Sequence, residues 1–458
     1  MTHNITLATC VDANLGIDVS KNLAKLINGH KIVVVEYEIF KTHAWYELTV
    51  SSNINFIAYS KLSNESFDKS MVGLNSMQLC KSFDDAMNVA LTYDDNIVVI
   101  GCEMTILQSL THPLITHVRI LTDYDTEPNG NLPSQKEFAK LIPDLVVNGN
   151  DTTVDIRNTA EKSYLDLLKQ LLTADIRPNR TDTLTQGVFT EMLKFPLHDI
   201  GGRVLPLITT KKVPFNSVYE ELKMFVLGET DTSRLEAKSI PIWRGNTSRP
   251  ALDAKGLTDY PVGTLGPVYG YQWTKFGGDW TDPKSTGVNQ LQKVIDTLKI
   301  LKTNPSHPDG RRMVVSAWNP LDLDKMCLAP CHHSFEFHCD YTKTDDKFIP
   351  SALNCRVNMR SADLALGVPF NIASYAMLTH IISLITGIPP GTLAIVMTDC
   401  HIYTNHIEGI KKQILRTPKR FPHIRFNSTI SDIKLIEDIN YSIIDYVHDP
   451  FIKLDMVV

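Results

Sequence analysis

The chain has 458 residues, too many for one hydrophobic core, so two domains are expected. Its 43% hydrophobic and 21% charged residues, with a net charge of −6, fit a soluble globular protein and leave no case for a DNA partner. No apolar run of membrane-spanning length and no signal-like opening stand out, so no membrane partner is expected. The 8 cysteines lack regular spacing, which suggests a reducing compartment, read as the cytoplasm.

In chain order, residues 4–11, 31–36, 54–59 and 96–101 are short apolar runs rich in Val and Ile, and Asp84 to Leu91 is helix-like. That alternation predicts an α/β sheet domain over residues 1–150. This part holds 10 Lys and Arg against 17 Asp and Glu, leaving 35 against 34 for the rest. An acidic first domain weighs against holding a phosphorylated dinucleotide. Pro128-Asn129-Gly130-Asn131 marks a turn, and Asn148-Gly149-Asn150-Asp151 opens a polar linker placed at 151–160. Glu161 to Leu172 has helical periodicity and opens a second domain, 161–458.

Chemistry concentrates in that second domain. Cys331 lies in Leu-Ala-Pro-Cys-His-His-Ser-Phe-Glu-Phe. A thiol is only slightly ionised at neutral pH, so a nucleophilic cysteine needs positive charge nearby. A lone cysteine is more often a buried structural thiol; here Pro330, His332 and a downstream Arg-Ser argue otherwise. Arginine forks match phosphate oxygens, and Arg180, Arg311, Arg312 and Arg360 with Ser361 are the candidates. Asn371, in Pro-Phe-Asn-Ile-Ala-Ser-Tyr, offers an amide donor and acceptor that can read the edge of a base, and it can also cap a helix starting near Ile372; both roles could hold at once. Cys331, His332, His333, His338 and Cys339 invite a metal reading. On one extended strand, Cys331, His333, Phe335, Phe337 and Cys339 would share a face, and two cysteines eight apart on it cannot readily chelate one ion, so no metal is expected.

From about Tyr164 to Val458 the order of these motifs resembles the thymidylate synthase family. The resemblance implies an α+β synthase domain that methylates dUMP reductively with 5,10-methylenetetrahydrofolate as co-substrate and needs no metal. It assigns Cys331 as nucleophile, with Glu221, Tyr269 and His332 around the pyrimidine. It also gives His401 and Tyr403 to the sugar, and Trp243, Asp363 and Gly367 to the folate. Arg311 and Arg312 would reach across from a second subunit, making a homodimer with composite sites. The end of the chain, from Lys453, resembles a tail that closes over the folate.

Several positions depart from the family's usual residues: Met359, Asn358, Glu336, Met224, Asn246, Arg244 and Thr398. Met359 removes an amide near Cys331 and Asn246 removes apolar area under the folate, so weaker cofactor binding, or at worst lost turnover, is expected. The first domain resembles dihydrofolate reductase through Ile5 to Ile17, Ile97 to Leu107 and Val118 to Asp125. Its chemistry looks lost. Ile17-Asp18 runs into a helix without the Pro-Trp loop, and Asn22 stands where an acid is needed. Val35-Glu36-Tyr37-Glu38-Ile39 replaces a cofactor motif, and Gly101-Cys102 replaces a Gly-Gly pair. NADPH binding is therefore not expected. The expectation is a synthase fused to a degenerate reductase-like domain; the alternatives are a regulatory subunit of an active homologue and a fully bifunctional enzyme.

Overall fold

The computed structural model describes residues 158–457 except 200–201, 283 and 346, together with Ala86 and the backbone of seven strands before residue 158. The chain divides into two compact units, Met1–Asn158 and Thr159–Val458.

In the first unit, β1 (Asn4–Ala8), β2 (Ile32–Glu36), β3 (Asn55–Tyr59), β4 (Met77–Cys80) and β5 (Asn96–Ile100) form a parallel sheet in the order β1-β5-β2-β3-β4. Parallel neighbours need crossover connections, which suits the α/β reading of these Val- and Ile-rich runs. β6 (His117–Leu121) pairs antiparallel with β7 (Asp151–Asp155), so the stretch expected as a linker carries a strand. The turn at 128–131, Asp18, Asn22, Tyr37-Glu38-Ile39 and Gly101-Cys102 lie outside the described residues, as does all of Asp84 to Leu91 but Ala86.

The second unit opens with α1 (Thr159–Leu171), whose Tyr164, Leu165, Leu168 and Leu171 are buried on one face. Its centre is a six-stranded sheet. It is built from β8 (Ile176–Arg177), β9 (Thr185–Pro196), β12 (Val314–Ser316), β13 (His332–Thr344), β14 (Lys347–Asp363) and β15 (Pro390–Tyr403). Two short strands, β10 (His198–Asp199) and β11 (Gly202–Arg203), form a hairpin beside it. The order is β12-β13-β14-β15-β9-β8. Only β14 and β15 are parallel, and the helix Gly367–Thr386 is the crossover between them.

The remaining helices are α2 (Phe215–Val226), α3 (Ser233–Ala237), α4 (Arg249–Asp253), α5 (Tyr269–Lys275), α6 (Gln290–Leu301), α7 (the Gly367–Thr386 crossover) and α8 (Ile407–Gln413). α7 corrects the sequence reading twice. Its 20 residues are long and apolar enough to cross a membrane by composition, yet most of the helix is buried in the protein, as a core helix is. It also begins at Gly367, not near Ile372, so Asn371 stands in its second turn and caps nothing. Pro369 falls in the first turn, where its missing N–H costs nothing.

Candidate active site

Strand direction gathers the site. β14 and β15 run parallel, so both C-terminal ends lie at one edge of the sheet, with Asp363 opposite His401 and Ser361 opposite Asp399. β13 runs antiparallel to β14, so its beginning, His332 opposite Met359, lies at that same edge. β9 starts there too, Thr185 facing Tyr403, with Arg180 in the loop just before it. Residues spread over more than two hundred positions therefore meet because of sheet topology.

Cys331 immediately precedes β13 and is half-buried. Its backbone N–H donates to the Tyr269 hydroxyl at 2.9 Å, and its carbonyl accepts from the Arg360 N–H at 2.9 Å. The Arg360 guanidinium donates to the Pro330 carbonyl at 2.9 Å (Nε) and the Ala329 carbonyl at 2.8 Å (Nη2), clamping the loop that presents the thiol. Burial pushes the Cys331 thiol pKa up, while the charges of Arg360, Arg180 and Lys255 pull it down. Lys255 was missed by sequence reasoning. It lies in an exposed loop after α4, inside no motif, so nothing in the sequence signalled it.

His332 is buried, and its ring stacks on Tyr269 at 4.0 Å and 12°. Its Nδ1 lies 2.7 Å from the Tyr375 hydroxyl. Burial lowers its pKa to about 3, so it is neutral and adds no charge toward the thiol. A β-bulge between His332 and Ser334 breaks the expected alternation: His332 is buried and His333 half-buried, while Phe335, Phe337 and Cys339 face the core. Cys331 and His333 are thus not on a common face with them.

Glu221 projects from α2. Trp243 donates its indole N–H to Glu221 Oε1 at 2.7 Å. The residue as a whole is half-buried, but desolvation of its carboxyl raises the pKa to about 7, against the lowering effect of that hydrogen bond. A carboxyl poised there can both take and give a proton near neutrality. Tyr269 begins α5, and Gly270 lets α5 lie against α2: a Cβ there would sit 2.3 Å from the Phe225 carbonyl oxygen. Glu221 and Tyr269 are thereby held together on packed helices, and the Tyr269 hydroxyl ties the Cys331 loop to them. Trp243 is itself buried, edge-on to Phe225 and Tyr269, rather than presenting an open face.

On the other side, the Asp363 carboxylate accepts from the backbone N–H groups of Ala365 (3.1 Å) and Leu366 (3.0 Å), shaping the turn into α7. Tyr164 and Lys211 donate to the carbonyls of Leu364 and Ala365 in that turn. Lys211 is buried, which lowers its pKa to about 8. At Gly367 a Cβ would meet only ordinary contacts, 3.8 Å from Asp363 Cβ, so no protein atom demands glycine there. Half-buried Asn371 and Ser361 make no side-chain hydrogen bond among the described residues. His401 is buried with Nδ1 at 3.1 Å from the Asp399 carbonyl, and its ring meets Tyr403 edge-on at 5.4 Å. Arg180 is exposed. Arg311 and Arg312 are exposed on a 3-10 turn leading into β12 and are not among the principal charges acting on Cys331.

Several departures have local partners. Glu336 pairs with Arg356 directly across the β13–β14 ladder. Arg244 pairs with Glu236 at 2.6 Å, and Asn358 donates to the Ser334 hydroxyl at 3.2 Å. Met359 and Met224 are buried in the core, Thr398 is exposed, and Asn246 is half-buried without a side-chain hydrogen bond among the described residues. No group of three or more metal-ligating side chains occurs among the described residues.

The family model for thymidylate synthase matches residues 162–458. The thymidylate synthase of Saccharomyces cerevisiae is 40% identical over 312 residues, covering 67% of this chain and 100% of that protein. The human thymidylate synthase is 41% identical over 303 residues, covering 65% of this chain and 91% of that protein. The bifunctional dihydrofolate reductase-thymidylate synthase of Leishmania major is 41% identical over 307 residues, covering 66% of this chain and 56% of that one. By the family model over residues 162–458 and by relatives of 40% and 41% identity covered over most of their own length, the chain belongs to the thymidylate synthase family.

Proposed function

We propose that the second unit converts dUMP and 5,10-methylenetetrahydrofolate to dTMP and dihydrofolate. The observation that carries this is the Cys331 loop clamped by Arg360, where the charges of Arg360, Arg180 and Lys255 oppose the rise that burial imposes on the thiol, while burial raises the Glu221 pKa to about 7. The Cys331 thiolate adds to C6 of the pyrimidine, which makes C5 nucleophilic toward the folate's one-carbon unit. Proton removal from C5 and hydride transfer from the folate complete the methyl group, and the thiolate leaves. Glu221 moves protons at the pyrimidine O4 through water, with Trp243 holding its orientation. Arg180, Arg360 and Ser361 take the phosphate, Asn371 the base edge, and His401 and Tyr403 the sugar hydroxyl. Asp363 and Gly367 face the pterin.

We infer a homodimer. α7 covers one face of the large sheet, while Met192, Val314, Glu336 and Arg356 project from the other, with Met192 52% and Val314 49% exposed. A second copy against this face would receive Arg311 and Arg312, which lead straight into edge strand β12. The first unit is read as a reductase-like domain that no longer uses NADPH, on the residues at Asn22, Glu36 and Cys102. The test is dihydrofolate formation by the full chain with dUMP and methylenetetrahydrofolate but no NADPH. Product in step with dTMP is expected. Folded protein that binds dUMP and makes none would overturn the reading.

A further inference from the structure

The segment Pro450–Val457 does not hang free. Asp449 donates its backbone N–H to the Thr209 carbonyl at 2.7 Å, and Arg416 Nη1 donates to the Pro450 carbonyl at 2.8 Å, fixing its base. Beyond that, exposure alternates: Ile452 and Leu454 turn inward while Phe451, Lys453 and Asp455 turn out. The inward pair lies on α8 at Gly409, where a Cβ would come 2.7 Å from Leu454 Cδ2 and 3.0 Å from Ile452 Cγ2. Glycine inside a helix costs about 1 kcal/mol relative to alanine, so its presence needs a packing reason, and the seated tail supplies one.

One turn earlier, His406 is 1% exposed and its Nε2 lies 2.7 Å from the Asp455 carbonyl. A carbonyl only accepts, so the proton sits on Nε2 and the imidazole donates. Its Nδ1 is buried and has no hydrogen-bond partner. The His406 ring also meets Tyr403 edge-on at 5.7 Å. His406 therefore stands between the end of the tail and a residue given to the nucleotide sugar.

We propose that His406 and Gly409 are positioning residues: they seat Pro450–Val457 on α8 and couple that seating, through Tyr403, to occupancy of the nucleotide subsite. This deepens the synthase reading and rests on it. The seat holds the tail laid down beside the site, so that folate binding does not have to order a free segment.

Trypsin cleavage after Lys453, whose side chain is 83% exposed, reads the seating without any turnover. His406→Leu removes the donor, and Gly409→Leu fills the seat while favouring the helix. Both are expected to speed cleavage at Lys453 about tenfold and to raise the KM for methylenetetrahydrofolate by a similar factor, with kcat changed less. His406→Gln keeps an N–H toward the carbonyl and should stay near the parent rate. In the parent, dUMP should slow the cut. Equal cleavage of parent and both leucine variants, each with parental thermal unfolding, would overturn the proposal. Rapid cleavage of the glutamine variant would do the same for the donor role. If the parent protects Lys453 yet makes no dihydrofolate, the synthase reading fails and the seat stands, as structure only.

Discussion

The two sides of the site are built differently. On the side proposed for the pyrimidine, Cys331 is held through its N–H by Tyr269 and through its carbonyl by Arg360, and Arg360 also clamps two preceding carbonyls. Tyr269, His332 and Tyr375 form a continuous stack and edge contact behind it. On the side proposed for the folate, the Asp363 carboxylate accepts from its own turn, Gly367 leaves room for a side chain, and Asn246 is unbonded among the described residues. Covalent addition needs a nucleophile fixed in advance, because misplacement is costly in rate. A co-substrate surface can be completed on binding at a cost in affinity rather than chemistry.

The largest effect should follow from removing the proposed nucleophile. Cys331→Ser is close to isosteric and is expected to fold and bind dUMP while losing turnover by about 10³-fold or more, roughly 4 kcal/mol of barrier. Retained dihydrofolate formation would break the covalent reading. Arg360→Lys comes next. It keeps the charge but loses the fork that holds Pro330 and Ala329, and a drop of about 10²-fold in kcat/KM for dUMP is expected. A loss below about threefold would mean that charge alone, and not the clamp, organises the thiol loop.

The third test concerns pH. Trp243 stabilises the ionised form of Glu221, because its N–H bonds the carboxylate and lowers a pKa that burial has raised to about 7. Trp243→Phe removes the donor and keeps most of the ring. The Glu221 pKa should therefore move further up, by about one unit, carrying the limb of the pH–rate profile attributed to that carboxyl to higher pH. A limb that stays in place or shifts downward would show that Trp243 does not tune this carboxyl.

The same contrast explains what was legible in the sequence. The residues around Cys331 stand in local runs, and their convergence follows from strand direction once the order β13-β14-β15-β9 is known. The helix α1 could be read from its apolar spacing, and the Val-rich runs before residue 101 coincide with strands. The bulge between His332 and Ser334 could not, because one extra residue leaves no compositional mark yet moves His332 to the buried side. The start of α7 was misplaced because a proline in Gly-Val-Pro-Phe-Asn reads as an interruption, although a first turn accepts it. Lys255 and the Trp243–Glu221 bond are long-range encounters of side chains, invisible to spacing. Two departures from the family's usual residues, Glu336 and Arg244, each meet an opposite charge, Arg356 and Glu236, that spacing alone does not reveal.

The smallest predicted effect tests the folate side directly. Asn246 lies three residues after Trp243, half-buried, where the resemblance calls for a second tryptophan. Restoring it as Asn246→Trp adds a large apolar ring without disturbing a hydrogen bond among the described residues. If this surface receives the pterin, stacking should contribute about 1 kcal/mol, and the KM for methylenetetrahydrofolate should fall about fivefold. The gain is made equally in the ground and transition states, so kcat should not change. A fall in kcat with unchanged KM would mean that position 246 touches the reacting groups, and the division between a fixed pyrimidine side and a completed folate side would have to be redrawn through Trp243.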